Sequence, residues 1–183
     1  MKATPPAAAQ QLLDFWQDHD AWWFEKNDRF DQTFRERFHA LHWQAARREL
    51  EGWLETEEGA LALVLLLDQY PRNSFRDTGH MFATDGLARH YARILTQRQG
   101  DLALPQALRV FCYLPFTHHE NLEDQHLAVE LNERGDTGEG LYFARHHRDI
   151  IQRFGRFPHR NRVLGRESSP QELAFLADGG FQG

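Results

Sequence analysis

The sequence contains a single cysteine and lacks any long apolar segment. Because Cys112 is the only thiol among 183 residues, no internal disulfide can form, which favours a reducing compartment. No apolar stretch reaches the roughly 18 residues needed to cross a bilayer, and the N-terminus lacks the apolar core of a secretory signal. We therefore predict a cytoplasmic protein that does not associate with membranes. In it, Cys112 should be a small buried hydrophobic residue and not a reactive thiol.

Lysine is almost absent from the chain. Of 21 basic residues only Lys2 and Lys26 are lysines, so the other 19 are arginines. Arginine favours bidentate pairing with carboxylates or phosphates, although a GC-rich genome would produce the same composition. The formal net charge of −6 and the isoelectric point near 6.0 argue against a dedicated nucleic-acid-binding protein.

Alternating, strand-like patterns are also missing, and helical spacing dominates. Residues 61–67 are consecutive apolar residues, so this segment must be covered on all sides. Pro71 disfavours helical geometry at Tyr70, and we expect the buried helix to end there in a polar connector. The complete pattern predicts an all-α fold: a flexible leader at residues 1–6, then a single domain of about seven or eight helices over residues 7–183.

A ladder of phenylalanines and tryptophans occupies the first third of the chain. Phe30, Phe34 and Phe38 recur at helical spacing in a helix that begins near Asp28 and could continue as far as Leu54. Such a ladder usually belongs to the core. The alternative, an aromatic binding groove, requires that some of these rings be exposed.

An arginine-rich segment spans residues 145–166 and contains one acid, Asp149. Its arginines are Arg145, Arg148, Arg153, Arg156, Arg160, Arg162 and Arg166. Such a cluster repels itself, so it needs anions either from elsewhere in the fold or from a ligand. Candidate structural partners are Asp68, Asp85, Glu120 and Asp124. Both interpretations stay open: structural ion pairs, or a binding site for a carboxylate or phosphate.

Several histidines occur where metal binding or proton transfer is conceivable. Glu123 and His126 form one Glu-x-x-His motif, but di-metal carboxylate bundles need two such motifs and two further glutamates. We therefore predict no metal site and no cofactor. His147 falls on an apolar helical stripe, where a hydrogen-bonded core histidine is the default interpretation. His118 follows a helix stopped by Pro115 and is harder to assign to the core, so His118 and His147 are the candidates for proton transfer.

Two polar connectors, residues 68–76 and 118–125, each follow an apolar helix that a proline is expected to stop. If successive helices pack antiparallel, both connectors converge with the arginine-rich segment. An isolated buried carboxylate is very costly, so Asp68 should pair with a nearby arginine. The predicted ligand-binding residues are Asp68, Arg72, Asn73, Arg76, Glu120, Asp124, Gln125, Arg148, Arg153, Arg156, His159, Arg160 and Asn161.

Several stretches, taken in order along the chain, match the pattern of one protein family. They are residues 67–73, 75–76, 82–85, 113–116, 120–125, 147–151 and 153–161. They resemble the bacterial family catalogued as domain of unknown function nine-hundred-and-twenty-four. The resemblance covers nearly the whole chain and implies an all-helical, tetratricopeptide-like array or bundle, but it implies no activity.

The sequence departs from this family pattern at two positions. Asp77 stands where a small residue such as glycine is expected, and His119 stands where serine is expected. A site that depended on a serine hydroxyl at position 119 would be altered. The sequence also lacks a clean repeat of about 34 residues, so any repeat character must be structural.

Two functions are consistent with these patterns. The first is a site for a small anionic ligand, clamped by arginines at the end of a helical bundle, and the sequence leaves open whether that site is catalytic. The second is a helical-repeat scaffold for a peptide or protein partner. The scaffold requires an exposed groove that contains some of Trp16, Trp22, Trp23 and Trp43.

Overall fold

The computed structural model describes residues 4–183. Residues 1–3 of the predicted leader lie outside this range, and the first helix begins at Ala7 as expected. The α-helices are α1 (Ala7–Gln17), α2 (Asp28–Ala46), α3 (Glu57–Val64), α4 (Tyr70–Ser74), α5 (Asp85–Gln97), α6 (Gln106–Thr117), α7 (Leu122–Gly135), α8 (Glu139–Phe154) and α9 (Pro170–Ala177). A π-helical segment, Leu65–Gln69, joins α3 to α4. Residues 4–183 contain no strand, so the predicted all-α fold is confirmed.

The segments from α3 to α4 form one continuous central rod, and with this rod counted once the described chain has eight helices. Thr56 Oγ1 accepts a hydrogen bond from the Gly59 N–H at 3.0 Å and caps the start of α3. Every residue of the apolar run 61–67 is at most 1% exposed, and α1, α2, α5 and α6 pack around the rod. Because burying one leucine side chain contributes about 1.5–3 kcal/mol, this run holds the rod at the centre of the fold.

The prediction that Pro71 ends the buried helix is wrong, because the helix widens just before it. The Tyr70 N–H donates to the Leu65 carbonyl five residues back, which is the π-helical pattern. Pro71 follows this wide turn inside the continuous rod and donates no backbone hydrogen bond there. The prediction that Pro115 stops its helix is also wrong, because Pro115 lies inside α6, which continues to Thr117.

Side chains satisfy the carbonyls near the widened turn. The Leu66 carbonyl accepts from His42 Nδ1 at 2.8 Å, and the Leu67 carbonyl accepts from Thr84 Oγ1 at 2.5 Å. An unsatisfied buried carbonyl costs about 1–3 kcal/mol, so these two bonds make the irregular turn possible. They also attach α2 and the segment before α5 to the rod.

The aromatic ladder is part of the core, as predicted. Phe30, Phe34 and Phe38 are at most 3% exposed. Trp16 of α1 is fully buried and makes an edge contact with Phe111 of α6 at a centroid distance of 5.2 Å. These contacts join α1, α2 and α6 across the core.

The suggestion that the second helix could continue to Leu54 is wrong. The helix ends at Ala46, and Arg48 adopts a φ of 64°, in the left-handed region that terminates a right-handed helix. A separate 3₁₀ turn, Glu51–Glu55, then leads into α3 and buries Trp53.

The arginine-rich loop lies between α8 and α9 and has its own small apolar cluster. Ile150, Ile151 and Phe157 are buried together, with Phe154, Phe175 and Phe181 packed against them. A capping box begins α9: Ser169 Oγ accepts from the Glu172 N–H, and the Glu172 carboxylate accepts from the Ser169 N–H. The loop is therefore anchored at both ends. The tetratricopeptide-like arrangement of the helices stays a prediction.

Cys112 is fully buried in α6, as predicted, and burial raises the pKa of its thiol. A thiol kept protonated is a poor nucleophile. Among the helices of residues 4–183, none combines the length and the apolar character needed to cross a membrane.

Candidate functional site

A cleft of about 630 Å³ lies where the end of the central rod meets the arginine-rich loop. Its walls come from the end of α4, the 3₁₀ turn Gly79–Phe82, the C-cap of α6, the middle of α8, the loop after α8 and the C-terminal segment. The polar lining residues are Lys26, Arg72, Arg76, Asp77, His118, His147, His159, Arg160, Arg162, Ser168 and Gln182. The cleft thus brings together residues from both polar connectors and from the arginine-rich segment.

Asp68 and His118 form a hydrogen-bonded pair beneath this cleft. His118 Nδ1 donates to Asp68 Oδ1 at 2.8 Å, although the two residues are 50 positions apart. Asp68 is 1% exposed, and Gln69 Nε2 donates to its second oxygen at 2.6 Å. Burial alone would raise the pKa of Asp68, but the charge of Arg72 and the hydrogen bonds from His118 and Gln69 lower it to about 2. The carboxylate is therefore ionised near neutral pH and holds the imidazole ring in one orientation.

The second ring nitrogen of His118, a residue of the cleft lining, has no hydrogen-bond partner in the described chain. Burial and the positive charge of Arg72 lower the pKa of His118, and the opposing effect of Asp68 does not compensate. In the neutral ring the bonded Nδ1 carries the hydrogen, so Nε2 carries the lone pair. Within residues 4–183, Nε2 has no hydrogen-bond partner and is not enclosed. A neutral imidazole of this kind can accept a proton from a bound molecule.

Arg72 connects Asp68 to Asp85. Its guanidinium makes two parallel hydrogen bonds to the Asp85 carboxylate, at 2.8 and 2.9 Å. It also lies 3.1 Å from Asp68 Oδ1 and donates to the Asp68 carbonyl at 2.8 Å. Because two carboxylates already satisfy this guanidinium, Arg72 positions the site and has little capacity left for a ligand.

Arg160 differs from the other cations of the lining. Its side chain is 7% exposed, and its guanidinium carbon lies 4.5 Å from the ring centroids of both Phe82 and Phe157. Within the described chain it makes no side-chain hydrogen bond or ion pair, and its Nε is buried without an acceptor. Burial and the neighbouring Arg72 lower its pKa to about 10, so it stays charged near neutral pH. Asp85, Glu120 and Asp68 attract it electrostatically without forming an ion pair, so Arg160 is a largely buried cation from which no described protein group accepts a hydrogen bond.

Every other lysine or arginine of the lining has a carboxylate partner. Arg72 pairs with Asp68 and Asp85, Arg76 with Asp31, Arg162 with Asp77, and Lys26 with Asp28. The pairing of Asp68 with a nearby arginine was expected from the cost of burying it alone. Among the described cations that line the cleft, the unpaired guanidinium of Arg160 is therefore the exception.

Two further histidines line the cleft in the neutral form. Burial lowers the pKa of His147 to about 3, and its Nδ1 donates to the Phe143 carbonyl at 2.8 Å. Burial and Arg160 lower the pKa of His159 to about 4. The Phe181 ring packs against both, at centroid distances of 4.6 and 5.1 Å. Neutral imidazoles add hydrogen-bonding capacity to the cleft without adding charge.

Most of the remaining arginines in segment 145–166 have structural partners. Arg145 pairs with Glu133, Arg148 with Asp149, Arg156 with Glu172, and Arg166 with Glu120. Arg153 instead lies over the rings of Phe154 and Phe175. Structural ion pairs thus account for most arginines of the segment. Arg160 is the member for which the ligand interpretation applies.

The predicted ligand-binding residues separate into two groups. Arg72, Arg76, His159 and Arg160 line the cleft, with Asp68 directly beneath. The others, which make structural contacts outside this lining, are Asn73, Glu120, Asp124, Gln125, Arg148, Arg153, Arg156 and Asn161. Gln125, for example, donates to the carbonyls of Thr117 and His119 at 2.7 Å each and so closes the end of α6.

The aromatic platform beneath Arg160 was not predicted. Phe82 contacts the guanidinia of both Arg160 and Arg72, at 4.5 and 5.7 Å from its ring centroid. The available signal was its position in the 82–85 stretch of the family pattern, where Thr84 and Asp85 also contact the end of the rod. For metals, residues 4–183 contain no group of three or more histidine, cysteine, aspartate or glutamate side chains arranged to hold an ion.

The chain matches the model of one known protein family. The family model described as bacterial protein of unknown function, DUF924, matches residues 12–180. The chain belongs to the DUF924 family. This confirms the resemblance read from the motifs.

A solved structure is closely similar to this chain. The protein of unknown function ATU0120 from Agrobacterium tumefaciens is 50% identical, with a TM-score of 0.92 over 94% of this chain and 98% of that chain. A search of curated proteins gives no match. Family membership thus supports the fold but names no activity, and function must be argued from the cleft.

Proposed function

We propose that this DUF924 protein binds a small anionic ligand, a carboxylate or a phosphate, in the cleft at the end of the central rod. Arg160 is the main contact with the ligand. The observation that carries the proposal is its buried, unpaired guanidinium between Phe82 and Phe157. Arg72, Asp68 and the neutral histidines give the cleft its shape and additional hydrogen-bonding groups.

The free energy of burying Arg160 supports a ligand at this position. A buried charge without a partner is costly, and proteins normally avoid it by pairing. The arginines around the cleft follow that rule, but Arg160 does not. The anion that completes Arg160 would then come from outside the chain. The two phenyl rings contact the guanidinium, and its N–H groups, which lie in its own plane, suit a carboxylate or phosphate.

The size of the cleft is compatible with this class of ligand. Small-molecule sites typically occupy about 300–1,000 Å³, and the cleft has about 630 Å³. Phe82, Met81 and Phe181 supply apolar surface beside the polar groups. A ligand with one anionic end and a less polar body would use both kinds of surface.

The alternative proposal is a helical scaffold that binds a peptide or protein. Trp22 is 37% exposed and Phe24 is 69% exposed, which supports it, whereas Trp16 is fully buried. A partner whose binding is lost in Trp22→Ala but kept in Arg160→Met would favour the scaffold.

Calorimetric titration with a series of mono-, di- and tricarboxylates and phosphate monoesters tests the anion proposal. At least one class should bind to the wild-type protein and raise its unfolding temperature, because a ligand at about 100 times its dissociation constant stabilises by about 2.7 kcal/mol. Arg160→Met should abolish this binding. Arg145→Met, which removes an exposed arginine that does not line the cleft, is the matched control and should bind normally. Binding that is unchanged in Arg160→Met would refute the proposal.

A further inference from the structure

The Asp68–His118 pair has features that anion binding alone does not require. A buried charged network is often no more stable than well-packed apolar side chains of similar volume. Yet Asp68 is 1% exposed and is held by His118, Gln69 and Arg72. Arg160 belongs to none of these bonds, so the pair needs a separate explanation.

The irregular part of the central rod includes Asp68. The π-helical segment Leu65–Gln69 is the widened turn that precedes Pro71. Such π turns are rare and are found frequently at functional sites. Here the widened turn carries the Asp68 carboxylate to His118, the C-cap residue of α6.

The imidazole and the unpaired guanidinium belong to one continuous site. His118 bonds to Asp68, which contacts Arg72. The guanidinia of Arg72 and Arg160 share the ring of Phe82. Both His118 and Arg160 line the same cleft. A ligand held by Arg160 would therefore lie beside a neutral imidazole whose Nε2 is open.

We propose that the cleft is the active site of a hydrolase for esters that carry a carboxylate group. Arg160 binds that carboxylate, His118 is the general base, and Asp68 is a positioning residue that orients the imidazole. The proposal rests on the proposed function, because Arg160 must hold the substrate. A single guanidinium can bond both oxygens of a carboxylate and balances its one charge, whereas a phosphate dianion would keep one negative charge unbalanced.

The proposed step is a proton transfer coupled to attack by water. His118 Nε2 takes a proton from a water molecule whose oxygen forms a bond to the ester carbonyl carbon. The bond from that carbon to the leaving oxygen then breaks, and the leaving alcohol takes the proton from His118. The imidazole returns to its neutral form, and the products are an acid and an alcohol. Water, the second reactant, can enter the cleft because part of its lining, such as Arg162, is exposed.

The probe is the mono-4-nitrophenyl ester of succinic acid, with neutral 4-nitrophenyl acetate for comparison. The wild-type protein should hydrolyse the anionic ester faster than the neutral ester. His118→Gln should lower kcat by about 100-fold or more and still bind succinate. Asp68→Asn, checked for folding by circular dichroism, should lower kcat with little change in KM. Arg160→Met should raise KM for the anionic ester alone.

The outcomes separate the two proposals. If wild-type protein binds succinate but hydrolyses the ester no faster than His118→Gln does, the hydrolase proposal is overturned and anion binding stands. If Arg160→Met binds succinate as well as wild type does, anion binding at Arg160 is itself refuted, together with the hydrolase proposal. Arg145→Met should behave as wild type in both assays.

Alkylation of the wild-type protein provides a test that needs no variant. Iodoacetate carries a carboxylate and iodoacetamide does not, so Arg160 should direct iodoacetate to His118. Nε2 attacks the methylene carbon, the carbon–iodine bond breaks and iodide leaves. Peptide mapping by mass spectrometry should find His118 carboxymethylated, and the buried Cys112 should not compete. Labelling spread over other histidines, with no preference for iodoacetate, would overturn the assignment of His118.

Discussion

Arg160 and Arg156 should respond in opposite directions to the same substitution by methionine. They are four positions apart in one loop, but Arg156 donates two hydrogen bonds to the buried Glu172 at 2.6 and 2.8 Å. Arg160 has no carboxylate partner among the described residues. Arg160→Met should therefore stabilise the ligand-free protein, and Arg156→Met should destabilise it.

The magnitude for Arg160 follows from two opposing effects. A pKa lowered from 12.5 to about 10 means that burial disfavours the charged form by about 3 kcal/mol. The contacts with Phe82 and Phe157 offset about 1 kcal/mol each. Methionine removes the charge and can still pack against both rings. We expect Arg160→Met to raise the free energy of unfolding by about 1 kcal/mol.

The assay is urea unfolding monitored by circular dichroism for the wild type and both variants. Their midpoints can be compared if the free energy of unfolding depends on urea concentration with the same slope in all three. Arg156→Met leaves the buried carboxylate of Glu172 without its guanidinium, so its midpoint should fall. A fall in the midpoint of Arg160→Met comparable to that of Arg156→Met would refute the reasoning. It would mean that Arg160 is a structural residue like its neighbours in the loop.

Three further outcomes are expected from the same structure. Because burial lowers the pKa of His147 and His159 to about 3 and 4, the unfolded state alone takes up protons as pH falls below about 6.5. The stability that each histidine contributes is complete above that pH and should decrease by about 2 kcal/mol by about pH 5. The urea midpoint of the wild type should therefore fall between about pH 6.5 and about pH 5. The fall should be smaller in His159→Gln, which lacks one of the two histidines. Asp68→Asn should reduce the unfolding free energy by about 3 kcal/mol, measured by urea unfolding, because the buried Arg72 guanidinium loses one of its two carboxylates and His118 loses its charged acceptor. Thr84→Val should cost about 1–2 kcal/mol in thermal unfolding, because the Leu67 carbonyl loses its donor, whereas an unchanged midpoint would show that water replaces the hydroxyl.

Local spacing in the sequence predicted the helices and the core well. The apolar run 61–67 and the Phe30, Phe34, Phe38 ladder are both buried as expected. Each pattern depends on one helix face or one continuous run, so it can be read without tertiary information. The wrong prediction at Pro71 arose because the conformation there depends on tertiary contacts. Whether a helix can widen there depends on donors from His42 and Thr84, which are distant in sequence from the carbonyls they satisfy.

The candidate site was predictable only as a region. Composition showed that the arginines of segment 145–166 need anions, but not which of them have one. Glu172 lies 16 positions from Arg156, and Glu120 lies 46 positions from Arg166. Pairing over such distances is decided by how α7, α8 and α9 pack. The unpaired status of Arg160 is therefore a tertiary property, and no local pattern in the sequence marks it.

Two features that lower stability coincide at the cleft. An apolar residue at position 160 would remove an unpaired buried charge, and a regular helix would remove the irregular turn Leu65–Gln69. Elsewhere in the loop, the chain follows the stabilising rule and pairs arginines with acids. Local departures from that rule are expected where function requires them. The first departure leaves the guanidinium of Arg160 without a carboxylate partner. The second is the irregular turn that carries Asp68 to His118. Arg160 lines the cleft and Asp68 lies beneath it, bonded to His118 of the lining. Under the proposals above, a single bound substrate would account for both departures.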